Sequence, residues 1–193
     1  MLHRRALVSE VLRDRGDMAV IAGLGASAWD ITAVGDTALN FPLWGAMGGA
    51  AMIGLGLAIA QPDRTVLVIT GDGEMLMALG ALATIAVQAP KNLAILVQDN
   101  EHYGETGMQE TATGHGVDLA AMARGAGMKH TMFVTDAAQV PALRAAIHAG
   151  EGPFFAVAKI DPETLPLVLP PREGVILQAR MREAILGPAA NLE

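Results

Sequence analysis

Two short polar stretches close two apolar runs, and they carry the residues best suited to chemistry. Gly71-Asp72-Gly73 follows the run 65–70 (TVLVIT), and Asp99-Asn100 closes the run that begins at 93 (LAILVQDN). A carboxylate, a side-chain amide and a nearby backbone carbonyl are hard oxygen donors. They suit Mg2+ or Ca2+, and Mg2+ commonly shares its coordination shell with phosphate oxygens. The glycines flanking Asp72 allow backbone N–H groups to approach an anion at the start of the following helix. The chemistry indicated is a divalent cation bridging the protein to a diphosphate. Each motif taken alone also has a plainer use, Gly-Asp-Gly as a tight turn and Asp-Asn as a strand-end cap. Their placement one crossover apart favours the site.

For the two tips to meet, the intervening chain must bring them to one edge of one sheet. Both runs are apolar throughout and rich in branched side chains, the pattern of strands covered on both faces. Residues 74–88 read as the connecting helix, stopped by Pro90, which makes the unit a right-handed crossover between parallel strands. Neighbouring strands would place the two tips roughly 5 Å apart, at the carboxyl edge where open α/β sheets bind ligands. The rest of the chain alternates similarly. Helix is expected over 4–16, with apolar residues at 6, 7, 11 and 12 and Gly16 at its end, then strand over 18–23 and a small-residue helix over 46–60 stopped by Pro62-Asp63. Beyond the second motif come a helix at 117–124 with Asp118 in its first turn, a strand at 132–134, a helix at 137–149 and a strand at 153–160. Four prolines between 162 and 171 then lead to a terminal helix at 172–186. The expected fold is α/β, a doubly wound and mostly parallel sheet with helices on both faces, forming one domain over 1–193 with a C-terminal extension from about 162.

Composition narrows the function. A chain of 193 residues supports one domain with a full core. Its net charge of −7 repels nucleic-acid backbones and acidic membrane surfaces. The absence of cysteine excludes disulfides, thiolate nucleophiles and cysteine-ligated zinc. Residues 41–60 form a twenty-residue stretch without a charge, long enough to span a bilayer. Its five glycines, at 45, 48, 49, 54 and 56, suit close packing within a soluble domain better than a lipid-facing surface. The N-terminus has no long apolar segment of the signal-peptide kind, and the expected location is the cytoplasm.

Gly71-Asp72-Gly73, twenty-six further residues and then Asn100 resembles the diphosphate-binding motif of thiamine diphosphate-dependent enzymes, in which the asparagine is often doubled; here Asp99 takes the first position. The resemblance implies thiamine diphosphate and Mg2+ as cofactors, the cation held by Asp72, Asn100 and the backbone carbonyl of His102. Gly71, Gly73, Tyr103 and Gly104 fall among the implied cofactor contacts, as does Glu74, which stands where many members have serine. The block LWGAMGGAAMIGLGLA is similar to the family's turn before a glycine-rich helix. It implies that the Gly45 carbonyl contacts the aminopyrimidine and that Met47 wedges the cofactor into its bent shape. Ser27, within GLGASAWD, is implied as a diphosphate contact, its plainer use being a helix cap.

The resemblance covers one of the two cofactor-binding domains of such enzymes. The pyrimidine-binding half, with its catalytic glutamate, is implied to come from an alpha-type partner chain. DNEHYGETGMQ resembles the loop of the sulfopyruvate and phosphonopyruvate decarboxylase branch, with Thr106, Gly107 and Gln109 matching. The activity implied is that of a beta subunit in a 2-oxo acid decarboxylase acting on a 3-anionic pyruvate. His115 is a candidate proton shuttle or substrate contact, and Arg172 a candidate reader of a sulfonate or phosphonate; either is equally well an ordinary surface group. Three other readings stay open. They are an acetolactate synthase-like carboligase, a nicotinamide-binding oxidoreductase domain, for which Gly23-Leu24-Gly25-Ala26-Ser27-Ala28 matches a weak fingerprint, and a non-catalytic module.

Overall fold

The computed structural model describes residues 1–191. Eight strands and eight α-helices follow in chain order: α1 (Arg4–Leu12), β1 (Ala19–Ala22), α2 (Ala26–Gly35), β2 (Asn40–Pro42), α3 (Ala50–Ala60), β3 (Val66–Gly71), α4 (Asp72–Met77), α5 (Leu79–Gln88), β4 (Leu93–Asp99), β5 (His102–Tyr103), β6 (Gln109–Glu110), α6 (Leu119–Gly125), β7 (His130–Val134), α7 (Val140–His148), β8 (Phe154–Lys159) and α8 (Gly174–Leu186). Six strands form a parallel sheet in the order β2-β1-β3-β4-β8-β7, and β5 and β6 form a separate hairpin. This is the doubly wound α/β fold expected from the alternation. From β1 the chain steps outward to β2, then crosses to the other side as β3. The carboxyl ends of β1 and β3 therefore flank a topological switch point, where such sheets open a crevice.

The apolar runs are continuous because each strand feeds two cores. Leu67 and Ile69 pack with Leu7, Val11, Trp29, Leu143 and Ile147, under α1, α2 and α7. Their neighbours Val66 and Val68 pack with Leu55, Met75, Leu82, Ile85 and Met181 on the opposite face. Alternate residues of one strand point to opposite faces, so a strand buried on both sides has no polar positions to spare.

Several elements depart from expectation. α1 ends at Leu12 rather than near Gly16, and it buries Leu7, Val8, Val11 and Leu12 while Ala6 is exposed. α2 and the three-residue β2 were not legible at all. Ser27, Asp30 and Thr32 lie within α2, and such residues favour caps and turns over helix interiors. Tertiary contacts hold it instead: Asp30, fully buried, accepts from Arg4 Nη1 at 2.9 Å and Arg5 Nε at 3.1 Å. The helix expected at 74–88 starts two residues earlier and breaks at Ala78 into α4 and α5. Asp118 caps α6 from outside the helix, its Oδ1 accepting from Ala121 N at 2.9 Å.

The uncharged stretch 41–60 divides into the end of β2, a turn and α3. Among the described residues no helix is long and apolar enough to cross a membrane. Its glycines differ in what they permit. A Cβ on Gly54 would lie 2.2 Å from Val68 Cγ2, so glycine is what lets α3 lie against β3, whereas one on Gly56 meets nothing within 4 Å. Gly54→Ala is therefore expected to destabilise the protein by about 1–3 kcal/mol through overpacking. Gly56→Ala should stabilise it by up to about 1 kcal/mol. Urea unfolding of the two variants beside the parent checks both signs.

The tail after β8 runs back along the molecule. Arg5 Nη2 donates to the Pro166 carbonyl at 3.0 Å, Trp44 Nε1 donates to the Pro171 carbonyl at 2.8 Å, and the Arg172 guanidinium lies 5.8 Å from the Trp44 ring centre. α8 then crosses the sheet edge, where Arg180 forms a two-pronged ion pair with Asp36 and donates to the Asn40 carbonyl.

Candidate active site

β3 and β4 are hydrogen-bonded neighbours, with Gly71 opposite Gln98 in register. Asp72 and Asn100 consequently leave adjacent strand tips on the same sheet edge. Asp72 is 1% exposed. Its Oδ2 accepts from Thr111 Oγ1 at 2.5 Å and from Thr113 Oγ1 at 3.1 Å. Thr113 Oγ1 also reaches Asp99 Oδ1 at 2.8 Å. Asp99 Oδ2 is held by Lys159 Nζ at 2.8 Å, and the same ammonium lies 2.6 Å from Glu101 Oε1.

The Asp72 carboxyl is pushed above the ordinary carboxylate range, chiefly by burial. The hydrogen bond from Thr111 opposes this, the neighbouring charge of Asp99 adds to it, and Thr113 opposes it again. Lys159 is pulled down by burial, but its bonds to Asp99 and Glu101 outweigh that and leave it above the usual lysine value.

The loop after β4 is built from two consecutive side-chain turns. Asp99 Oδ1 accepts from Glu101 N and Asn100 Oδ1 accepts from His102 N, each at 3.1 Å, while Glu101 takes a left-handed φ of 63°. The plainer role of the Asp-Asn pair is thus present. An amide oxygen has a second lone pair, so the turn does not use up Asn100 as a ligand. His102 Nδ1 lies 2.8 Å from the Asn100 carbonyl, an arrangement in which a protonated Nδ1 donates. Tyr103 lies over Gly73, where a Cβ would come within 2.5 Å of ring carbon Cε1. The second glycine of the motif is therefore required by packing as well as by any ligand.

These tips open on a cavity of about 260 Å³. Of the candidates named from sequence, Ser27, Met47, Gly71, Asp72, Gly73, Glu74, Asn100, His102, Tyr103 and Gly104 line it. Two do not. Gly45 sits in an exposed turn where a Cβ would meet nothing within 4 Å. His115 is 67% exposed, paired with Glu110 at 3.0 Å and outside the cavity wall, because the short 3-10 turn Ala112–His115 carries it outward. Arg172 is likewise taken up by Trp44.

Two of the lining residues are engaged differently than expected. Ser27 Oγ donates to Gln98 Oε1 at 3.0 Å, so its proton is committed within the protein. Glu74 is buried and ties three segments together. Its carboxylate accepts from Thr70 Oγ1 at 2.8 Å and from the backbone N–H groups of Gly48 at 3.2 Å and Ala50 at 3.5 Å. This buried carboxylate fixes the glycine-rich turn that carries Met47. The expected helix-dipole contribution is small, since α4 has only six residues.

Thr111, Thr113 and Lys159 were missed. A threonine pair two positions apart in a polar loop carries little signal. Lys159, the one charge closing an otherwise apolar strand, was a signal available in FFAVAKI. Glu105 also lines the wall, and no lysine or arginine does so among the described residues.

The donor set fits a divalent cation. Asp72 is buried with no basic side chain beside it, and both threonine bonds fall on Oδ2, leaving Oδ1 without a side-chain donor. Two hydroxyl protons serve three contacts to the two carboxylates, so the cluster is short of positive charge. A buried charge without a partner is costly, and a cation relieves it. Among the described residues no three His, Asp or Glu side chains converge on one point. A cation here therefore depends on amide, carbonyl and ligand oxygens, the habit of Mg2+ beside a phosphate.

A parallel sheet whose switch-point edge presents a buried, unneutralised aspartate beside a glycine-flanked cavity is a ligand-binding α/β domain of the doubly wound class. The chain matches, over residues 22–158, the family model described as thiamine pyrophosphate enzyme, C-terminal TPP binding domain, and it belongs to that family. It is 38% identical over 162 residues to the beta subunit of sulfopyruvate decarboxylase from Methanothermobacter thermautotrophicus, an alignment covering 84% of each chain. It is also 38% identical over 159 residues to the phosphonopyruvate decarboxylase of Streptomyces viridochromogenes, covering 82% of this chain and 39% of that one. The benzoylformate decarboxylase of Polynucleobacter necessarius shares the fold, with a TM-score of 0.65 and 18% identity over 86% of this chain and 34% of the other. The nicotinamide reading loses its footing, because β2 ends at Pro42 and is followed by Leu43, with no carboxylate to take a ribose.

The elevated Asp72 carboxyl has a consequence for stability. Its folded-state pKa lies above the unfolded value, so its contribution is full below the ordinary carboxylate value of about 3.9 and is lost as pH rises through the folded value. Asp72→Asn keeps an oxygen for the threonines and removes the charge. In EDTA the variant is expected to melt higher than the parent at neutral pH and to lose less stability between roughly pH 4 and pH 7. Thermal melts across that range check it.

Proposed function

We propose that this chain is the diphosphate-binding beta subunit of a thiamine diphosphate- and Mg2+-dependent 2-oxo acid decarboxylase, assembled with a pyrimidine-binding alpha subunit and acting on a 3-anionic pyruvate such as sulfopyruvate or phosphonopyruvate. The observation that carries the reading is Asp72, buried without a basic partner on the wall it shares with Asn100 and His102. When bound, thiamine diphosphate supplies a nucleophilic carbon for the ketone and an electron sink for the departing CO2.

The chain's own residues hold and orient. Asp72, Asn100 and the His102 carbonyl are assigned to the cation. Gly71 leaves room for the diphosphate, as a Cβ there would meet nothing within 4 Å. Tyr103 closes over Gly73, and Met47 stands at the cavity mouth on the turn that Glu74 fixes. Because the lining has no lysine or arginine among the described residues, recognition of the sulfonate or phosphonate falls to the partner.

The partner is assigned to the uncharged face beside that mouth. Met52 is 43% exposed, Ile59 54%, Met77 67% and Val87 81%, on α3, α4 and α5. Met47 and Trp44, in the turn before α3, are also exposed. Exposed apolar side chains gathered on such elements mark an interface. The reading places the protein in the cytoplasm.

Mixing the chain with a pyrimidine-binding partner, thiamine diphosphate, Mg2+ and sulfopyruvate or phosphonopyruvate is expected to release CO2. A formed complex inactive on both substrates counts against the reading. Asp72→Ala should abolish Mg2+-dependent retention of thiamine diphosphate by the complex, read by calorimetry. Ile59→Asp should weaken assembly at least about tenfold by burying an unpaired charge, read by sedimentation velocity.

A further inference from the structure

Two buried carboxylates stand on adjacent strand tips, and the protein treats them differently. Asp99 and Lys159 face each other in the β4–β8 register. The ammonium sits 2.8 Å from Asp99 Oδ2 and 2.6 Å from Glu101 Oε1, a residue exposed enough for water to screen it. Asp72 has no such partner, only the Thr111 and Thr113 hydroxyls. Thr113 touches both acids, so one hydroxyl separates a neutralised carboxylate from one that is not.

Of the two acids at these strand tips, linked through Thr113, only Asp72 lacks a counter-charge. We infer that Lys159 is a positioning residue for the metal: by neutralising Asp99 it confines the cation to Asp72 and Asn100 and sets how tightly the cation is held. With one free carboxylate, the site keeps its need for diphosphate oxygens to complete the shell, and the metal and the cofactor bind together. A second free carboxylate would let the cation bind without the cofactor. The inference rests on the assignment of the metal to Asp72.

The test is a charge cycle read by metal binding, with Mn2+ titrated into the assembled enzyme with and without thiamine diphosphate and followed by the free-ion electron paramagnetic resonance signal. Lys159→Met is expected to tighten Mn2+ roughly tenfold and to reduce its dependence on the cofactor. Asp99→Asn, which removes one carboxylate and leaves the ammonium paired with Glu101 alone, is expected to weaken Mn2+ roughly tenfold. The double variant should return to within about threefold of the parent, and Lys159→Arg should track the parent.

A merely structural role would weaken binding in every variant, and that result overturns the inference, as does unchanged or weaker binding in Lys159→Met. If Lys159→Met fails to assemble, the cycle is decided on the asparagine background, where adding Lys159→Met must tighten Mn2+. A parent that binds no Mn2+ with the cofactor present overturns the metal assignment and this inference together. A parent that binds, with variants that do not move in opposite directions, overturns this inference alone.

Discussion

A carboxylate shut away from water must find a positive charge, take up a proton, or destabilise the fold that holds it. Asp72 is in that position. It caps the tip of a strand buried on both faces, and its neighbours offer hydroxyls rather than cations. The arrangement around it follows from this. The threonine pair steadies one oxygen, the side-chain turns of Asp99 and Asn100 bring a second tip alongside, and the cavity opens on what remains. Left to itself the group costs stability, and the cation proposed to bind there would offset that cost.

Comparison with the other buried acids makes the exception plain. Asp30 is as deeply buried, and two arginines bind it, joining the first helix to the second. Asp99 is held by Lys159. Glu74 has no cation but gathers a hydroxyl and two backbone amides, and in doing so fastens the turn bearing Met47 to the strand bearing Asp72. Three of the four are satisfied within the chain. The fourth, Asp72, has only the two threonine hydroxyls as side-chain partners.

Much of this was legible in the residues because both signals are local. A strand covered on both faces shows as an unbroken apolar run, as at 65–70 and 93–99, and motif glycines mark the turns after them. α2 was hidden because its helix rests on distant arginines rather than on its own propensities, and β2 is too short for any period to register. Gly45 and His115 illustrate the converse limit. Proximity in sequence to a site does not decide which way a turn carries a residue, and in this chain both lie in exposed turns outside the cavity wall. Thr111 and Thr113 lie in the loop that returns from Asn100 and Lys159 ends β8, and only folding brings their side chains to Asp72 and Asp99.

The C-terminal helix matters for more than packing. β2 is an outermost strand of the main sheet, and an open edge invites pairing with a strand from another molecule. Arg180 from α8 takes the Asn40 carbonyl on that edge, and the proline-bearing tail that delivers α8 is fastened at the Pro166 and Pro171 carbonyls. A protease cut in that tail would strip the guard from the sheet margin and open it to strand-to-strand aggregation, while leaving the tips that bear Asp72 and Asn100 untouched.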